Sequence, residues 1–337
     1  MRSFRYAPTP IDAKVVANVI PSIYEYEDYI FLNPDLSKLN RLEAAKHWEN
    51  SGYASMRLCN KNQLIVVSEF GAEIILYACY YYYLYKSGLL FNNTITTYKG
   101  MRPFYYFIDP SNIIERDEPR KWIHISSRPL LINNTEHINV FNKKYWYPIP
   151  YNMQYKNNKF VFDKPLLIIE NKYAIEWNKR PINYFSVDTL DSIFSKLSDI
   201  YTIVYIRPSN KNNILDKYSY SKDHNIILDD LNDYELIRNK YMNKILLFND
   251  LLLQYNIEYN LLKLELFASC DKYISVQGGG TYLISFFYTR LLILHIEGNE
   301  INSGAYNGWY LDTEPGDKNI KVTRSYNDLI DNLNMFL

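Results

Sequence analysis

Glycine is scarce in this chain. It accounts for 11 of 337 residues, about 3% where an average protein has ~7%. Because few positions have the backbone freedom of glycine, the places where it does occur are informative. Seven of the 11 glycines lie at or after Gly278, and three of them, Gly278, Gly279 and Gly280, are consecutive. This run is the first place at which the sequence indicates a site.

Net charge is absent as well, because 37 basic side chains balance 37 acidic ones. This balance excludes a nucleic-acid binder that works by bulk positive charge, and it excludes an acidic disordered tail. Cysteine is rare: Cys59, Cys79 and Cys270 are odd in number, widely spaced and without a CxxC pattern. They therefore predict buried free thiols in a reducing compartment, with neither a disulfide framework nor a zinc site.

Long apolar runs are missing too. The longest, from Ile74 to Leu84, covers about 11 residues, whereas a membrane-spanning helix needs about 20. The N-terminal sequence MRSFRYAPTP contains no apolar core of a signal peptide. From these two absences we expect a cytoplasmic protein without a transmembrane segment.

Several catalytic motifs do not occur. The absence of GxGxxG and GxxxxGK[ST] argues against a dehydrogenase and a P-loop nucleotidase, respectively. The absence of HExxH and GxSxG argues against hydrolases of those types.

From residue 164 onward the chain has a regular pattern, in which short strands that are apolar on both faces alternate with helices. The predicted strands are 166–169, 202–206, 245–248, 273–276, 291–295 and 321–323. The predicted helices begin after Ser186, near Asp230, at Asn260, at Thr281 and after Ser325. This alternation is typical of a parallel, doubly wound α/β sheet.

The first half of the chain is less regular. Residues 1–60 read as a small helical extension, and 61–163 as a short α/β half. That half has strands at 63–67, 104–108 and 122–125, a long helix ending near Gly88, and a loop and linker over 133–163. We expect the main α/β domain to span 164–324. A C-terminal helix at 325–337 could cross back to the first half.

In a doubly wound sheet, ligands bind beyond the carboxyl ends of the strands. One such end reads Ser275, Val276, Gln277, Gly278–Gly280, Thr281. Glycine lets the backbone approach a ligand, and the N–H groups that open the next helix suit a phosphate. The alternative is a tight turn that needs a positive φ, which one glycine would satisfy.

Two further strand ends carry candidate residues. Arg207 follows the 202–206 strand, where it is predicted to clamp a phosphate through two hydrogen bonds. The alternative for Arg207 is a salt bridge to an acid within 216–235. Asn171 and Lys172 follow the first strand of the domain, where they would either contact a base or sugar or brace the domain junction.

Several segments resemble a known family. Residues 266–280 (LFASCDKYISVQGGG) resemble the donor-domain signature of GT-B-type glycosyltransferases. Residues 70–74, 171–177 and 205–208 are similar to segments of glycosyltransferase-like proteins of large DNA viruses and bacteria. Residues 32–57 resemble a short helical module that is often joined to such transferases.

The resemblance implies two Rossmann-like domains that face a cleft, and sugar transfer from a nucleotide-sugar to a glycan or glycoprotein acceptor. The donor diphosphate would lie near Gly278–Thr281 and Arg207. No metal is implied, since the strict DxD motif of other nucleotide-sugar transferases is absent. In a viral protein the compartment would be the host cytoplasm.

The resemblance also implies roles for three acids. Glu73 and Glu69, which follow the first predicted strand, would be candidates for the general base of an inverting reaction. Glu297, after the 291–295 strand, would accept hydrogen bonds from ribose hydroxyls. For Glu73 the alternative is an ordinary first-turn helix acid.

Two other functions fit the same sequence. A nucleotide-sugar epimerase would have a similar two-domain shape and would need no acceptor. A non-catalytic glycan-binding or virion structural protein would use surface tyrosines, from the 34 in the chain, to stack on sugar rings.

Overall fold

The computed structural model describes residues 24–52, 55, 57–118, 120, 146–176, 180–208, 225–302, 304–313 and 317–337. The chain begins there with helices α1 (Tyr26–Leu32) and α2 (Arg41–His47), joined by a 3-10 turn. The capping box that starts α2 has both of its hydrogen bonds: Asn40 accepts from the Glu43 N–H, and Glu43 accepts from the Asn40 N–H. Wide π-type turns continue α2 through Trp48–Gly52.

The long apolar helix predicted before Gly88 is confirmed. Helix α3 has three consecutive parts. It is α-helical at Phe70–Ala72, forms wider π-type turns at Glu73–Ala78, and is α-helical again at Cys79–Lys86. It ends just before Gly88, whose φ of 68° is the left-handed conformation common after helices.

The strands predicted in the first half are mostly wrong. Residues Lys61–Leu64 form a 3-10 turn, because Asn60 and Gln63 cap it reciprocally, and only Ile65 pairs with Thr96 in a single parallel bridge. Residues Arg102–Tyr105 are a 3-10 turn too, with proline in its first turn, and 122–125 lie outside the described residues.

The strands that do form were not predicted. They are β1 (Ile95–Tyr98) and β2 (Ile113–Arg116), which pair in parallel. Beyond residue 145 the expected linker contains a helix, α4 (Tyr151–Tyr155), whose Tyr151 ring packs 5.2 Å from that of Phe286. This part of the predicted linker is therefore buried in the core.

The predicted parallel sheet is confirmed. Its strands are β3 (Leu166–Glu170), β5 (Thr202–Ile206), β7 (Ile245–Leu247), β8 (Lys272–Val276), β9 (Arg290–Leu294) and β10 (Asn319–Thr323). Strands β4 (Ala174–Glu176) and β6 (Asn225–Ile227) form a separate antiparallel pair.

The order of the six strands is β10-β9-β8-β3-β5-β7, and every neighbouring pair is parallel. The chain lays down β3, β5 and β7 in one direction and then β8, β9 and β10 in the other. This order is compatible with a Rossmann-like fold, in which ligands bind where the direction reverses. Here that switch point lies between β3 and β8.

Helices cover both faces of the sheet, which explains why its central strands, such as β3, are buried along their whole length. These helices are α5 (Val187–Leu197), α6 (Asp233–Lys240), α7 (Phe248–Tyr255), α8 (Tyr259–Phe267), α9 (Gly279–Ile284), α10 (Trp309–Asp312) and α11 (Tyr326–Asp331). On one face, Leu167 and Ile169 belong to a core shared with α5, α6 and α11. On the other face, Ile168 and Tyr273 belong to a core that continues through α7, α8 and α9 into the first half.

The C-terminal segment lies on the sheet of its own half. Leu329, Leu333 and Phe336 are buried in the core on the α5 and α6 face, and the Tyr201 hydroxyl donates to the Phe336 carbonyl. The expectation that this helix crosses back to 61–163 stays a prediction.

The expected boundary at 163/164 falls within one continuous core, since buried residues of the first half and of the sheet form a single cluster. The described residues of 61–163 form one two-stranded parallel pair, so the two-domain arrangement stays a prediction.

Two composition-based predictions concern the whole fold. Cys59, Cys79 and Cys270 are buried free thiols, as predicted, and burial raises the pKa of Cys270 to about 12. Within the described ranges, each helix is too short or too polar to cross a lipid bilayer.

Candidate functional site

The loops after β3, β8 and β9 meet at the switch point, and one segment, 183–185, ties them together. The Asn183 side-chain amide donates to Gln277 Oε1 at 2.8 Å and to the Glu297 carbonyl at 2.7 Å. Its oxygen accepts from the Ile296 N–H at 2.8 Å. Asn183 was not predicted from the sequence. It joins the ends of β8 and β9 from one buried position.

Asn171 joins the end of β3 to the same 183–185 segment. Its oxygen accepts from the N–H groups of Lys172 and Phe185, both at 2.9 Å, and its amide donates to the Tyr205 hydroxyl at 3.0 Å. It is 1% exposed. Of the two roles expected for Asn171, the bracing role matches this geometry, because its polar atoms are used within the protein.

Gln277 is also engaged by the protein. Its oxygen accepts from Asn183, and its amide donates to the carboxylate of Glu300. Glu300 accepts a second bond from the Tyr282 hydroxyl at 2.9 Å and lies 3.7 Å from His295 Nε2. Burial lowers the pKa of His295, and the nearby Glu300 partly opposes this shift. Gln277 thus positions the loop after β9 and does not point to a ligand.

Lys172 lies against the glycine turn. A Cβ built on Gly278 would stand 3.1 Å from Lys172 Nζ. The φ of 148° at Gly278 is a conformation that residues with a side chain rarely adopt. The ammonium group of Lys172 is therefore next to backbone that has no side chain to cover it.

The other two glycines of the run are required by packing inside the protein. A Cβ on Gly279 would lie 3.1 Å from the Gly71 backbone nitrogen, and a Cβ on Gly280 would overlap the carboxylate of Glu170. The interpretation that the whole run serves ligand approach is therefore too broad. Of these three glycines, Gly278 alone is still interpreted as a position where a ligand approaches the backbone.

Ser275 and Thr281 lie beneath the turn. Both are fully buried, their hydroxyls are 3.0 Å apart, and the Thr281 hydroxyl donates to the Val276 carbonyl. These contacts hold the strand, the turn and α9 together, and they place neither side chain on an open surface.

Glu170 and Lys263 form a buried ion pair at the switch point, with Oε1 and Nζ 2.6 Å apart. Glu170 ends β3, and its second oxygen has no hydrogen-bond partner within the described structure. In the sequence, Glu170 could have been recognised as a site residue because it is an acid that ends an otherwise apolar strand. Its partner Lys263, 93 residues away, has no comparable sequence signal.

Arg207 does not face the glycine turn as a free clamp. It is 3% exposed and pairs with Asp233 through Nε to Oδ2 at 2.5 Å and Nη2 to Oδ1 at 2.8 Å. Its Nη1 donates to the Leu228 carbonyl at 3.1 Å. The salt bridge to an acid within 216–235 is therefore the arrangement found, and the clamp prediction has no support in this geometry.

The two candidate bases on α3 have different surroundings. Glu73 is fully buried: it pairs with Arg120 at 2.5 Å and accepts from the Tyr105 hydroxyl at 2.7 Å and from Thr97. Glu69 is partly exposed at the N-cap of α3. A Cβ on Gly71 would be 3.0 Å from Gly279 Cα, so the start of α3 packs on the glycine turn. The structure thus brings Glu69 to the site and leaves Glu73 in the core.

Glu297 lies where the sequence predicted, after the end of β9. Its side chain is exposed, and its backbone is fixed by Asn183. No cluster of three or more His, Cys, Asp or Glu side chains suited to a metal occurs in the part of the chain that the structure describes.

Comparison of the chain with protein-family models, with curated proteins and with solved structures finds no match. The resemblance to glycosyltransferases therefore rests on the sequence segments alone.

Proposed function

We propose that the chain is a metal-independent glycosyltransferase that moves a sugar from a nucleotide-sugar to a glycan or glycoprotein acceptor. The observation that carries this proposal is the position of Lys172 beside Gly278 at the switch point of a Rossmann-like sheet. A cation at this position, beside backbone that carries no side chain, suits a diphosphate. The resemblance of residues 266–280 to a donor-domain signature supports the same ligand.

In this proposal Lys172 takes the role that the sequence had suggested for Arg207. Its ammonium and the backbone N–H groups of the glycine turn neutralise charge on the departing nucleoside diphosphate. Fixed donors aimed at a developing negative charge are among the strongest contributions to catalysis. The exposed Glu297 would accept hydrogen bonds from the ribose hydroxyls.

Glu69 is the better candidate for the general base, since it is partly exposed and its helix starts against the glycine turn. In an inverting reaction its carboxylate takes the proton of the acceptor hydroxyl as that oxygen bonds to the anomeric carbon. The bond from that carbon to the diphosphate breaks, and the nucleoside diphosphate leaves. Residues 61–163 would hold the acceptor in a GT-B-like two-domain arrangement.

Calorimetric titration with UDP, GDP, CDP and dTDP tests the donor site. We expect one clear binder, and the absence of binding by all four would contradict the proposal. Lys172→Ala should weaken that binder by about 1.5–3 kcal/mol, the scale of a hydrogen bond to a charged group. Lys244→Ala is the matched control, because Lys244 precedes β7 at the amino end of the sheet and should leave affinity unchanged.

Glu69→Gln tests the base. It should leave nucleotide affinity unchanged and lower the rate of sugar transfer by ~100-fold or more, the usual contribution of a positioned base. Glu69→Gln activity equal to that of the unaltered protein would remove Glu69 from the mechanism.

The same assays separate the alternatives. Conversion of a nucleotide-sugar without transfer to any acceptor would favour an epimerase. The glycan-binding alternative was motivated by surface tyrosines, yet many tyrosines are almost completely buried, among them Tyr29, Tyr77, Tyr80, Tyr81, Tyr105 and Tyr151. The burial of these tyrosines weakens the argument for a glycan-binding protein.

A further inference from the structure

Two tyrosines in the segments that meet the glycine turn depart from this burial. Tyr173 and Tyr184 are both partly exposed, and their ring centroids lie 4.9 Å apart at an interplanar angle of 60°. Neither residue is buried, although the two rings pack on each other. Such a pair offers an aromatic surface without a large cost in side-chain entropy, because a tyrosine side chain has few rotatable bonds.

Both tyrosines are next in sequence to residues of the site. Tyr173 directly follows Lys172, the residue that contacts Gly278, and Tyr184 directly follows Asn183, the residue that binds Gln277. Each tyrosine is thus one residue along the chain from a side chain that contacts Gly278 or Gln277.

Both tyrosines are held by hydrogen bonds to their main chain. The Tyr173 carbonyl accepts from the Leu228 N–H at 2.9 Å, and the Tyr184 carbonyl accepts from the Tyr326 hydroxyl at 3.0 Å. Asn171 also binds the N–H of Phe185, which fixes the segment that carries Tyr184. The aromatic surface is therefore attached to a rigid frame.

We propose that Tyr173 and Tyr184 form the platform on which the base of a nucleoside diphosphate stacks, while Lys172 binds its diphosphate. This inference rests on the proposed function and adds the means by which the donor's base is held. Stacking on an aromatic side chain suits any nucleobase, since each has a flat π-face. The exposed Glu297 lies in the loop that Asn183 fixes, so the ribose would lie between the platform and the turn.

The test separates base from diphosphate by using two probes, the nucleoside diphosphate that binds best and inorganic pyrophosphate. Tyr184→Leu and Tyr173→Leu should each weaken the nucleoside diphosphate by about tenfold, within the range for a lost base stack. Both should leave pyrophosphate affinity unchanged. Tyr184→Phe keeps the ring and should retain the affinity of the unaltered protein.

Tyr85→Leu is the control, because Tyr85 is 48% exposed on α3 and packs on Phe107. It should change neither affinity. Thermal unfolding of each variant identifies one that fails to fold, and in that case the other leucine variant and Tyr184→Phe decide the question.

Unchanged nucleoside diphosphate affinity in both leucine variants would overturn the platform while the proposed function stands. An equal loss for pyrophosphate would also overturn it, since the rings would then act on the diphosphate subsite. Binding of pyrophosphate but of no nucleoside diphosphate would contradict both the platform and the proposed function, and would leave an anion site only. Binding of neither probe by the unaltered protein would contradict the proposed function itself.

Discussion

Two strand ends of the same sheet each carry a basic residue, and the two residues have different surroundings. Arg207 follows β5 and is buried in a two-point pair with Asp233. Lys172 comes two residues after β3, is partly exposed and lies beside Gly278. Both satisfy the rule that ligands bind at the carboxyl edge. The rule therefore needs a second condition, because an acid that opens the next helix can bury the base, as Asp233 does with Arg207.

The acids explain the difference. Asp233 opens α6, is fully buried, and accepts from both Arg207 and the Tyr205 hydroxyl. A buried guanidinium without that carboxylate would be costly, so each holds the other in place. At the end of β3 the acid is Glu170, and it pairs with Lys263 of α8 rather than with Lys172. The end of β3 thus places the Lys172 cation beside the turn, whereas the end of β5 places Arg207 against Asp233.

Among the substitutions that test this comparison, the largest change in stability is expected at Asp233. Asp233→Ala should lower the free energy of unfolding by about 3–5 kcal/mol, because it leaves the Arg207 charge buried without its partner. Urea denaturation at neutral pH measures the change. The double variant Asp233→Leu with Arg207→Met should recover much of the loss, since apolar groups can replace a buried pair.

The contrary result is equally informative. If Arg207→Met alone left stability unchanged and weakened nucleotide binding, Arg207 would be the phosphate clamp that the sequence suggested. The two strand ends would then be alike.

An intermediate effect is expected at Gly280, on the switch-point side. Gly280→Ala should cost about 1–3 kcal/mol, because the added methyl overlaps the Glu170 carboxylate in a packed interior. Adding Glu170→Ala should relieve part of that cost, so the two changes should be non-additive in a double-mutant cycle.

Gly88→Ala is the control for this cycle. Its φ of 68° makes alanine unfavourable there, but no atom lies within 4 Å of the added Cβ. Its effect should therefore add to that of Glu170→Ala. Strict additivity at Gly280 as well would mean that the glycine is required by backbone conformation and not by the carboxylate.

The fold was predictable where local signals and global packing agree. Strands that are apolar on both faces, and caps such as Ser186 and Ser325, located the elements of the sheet. In the first half a capping signal prevailed over the apolar run, because Asn60 and Gln63 cap each other and residues Lys61–Leu64 form a 3-10 turn.

The site was less predictable because its residues depend on distant partners. Asp233 is 26 residues from Arg207, Lys263 is 93 from Glu170, and Arg120 is 47 from Glu73. Each pairing decides whether a charged side chain is buried or faces the site. A single sequence gives the residue type and the strand end, but it does not give the partner that the tertiary fold supplies.

The smallest change in stability is expected at Lys172, and it sharpens the comparison most. Lys172→Ala should alter the free energy of unfolding by no more than about 0.5 kcal/mol, the usual scale for a side chain outside the core. It should nevertheless weaken pyrophosphate binding, which calorimetry measures directly. This is the reverse of Asp233→Ala, which should cost stability and leave pyrophosphate affinity unchanged in the folded fraction. If Lys172→Ala cost as much stability as Asp233→Ala, Lys172 would be a structural cation like Arg207. The distinction between the two strand ends, and with it the proposed diphosphate subsite, would then be wrong.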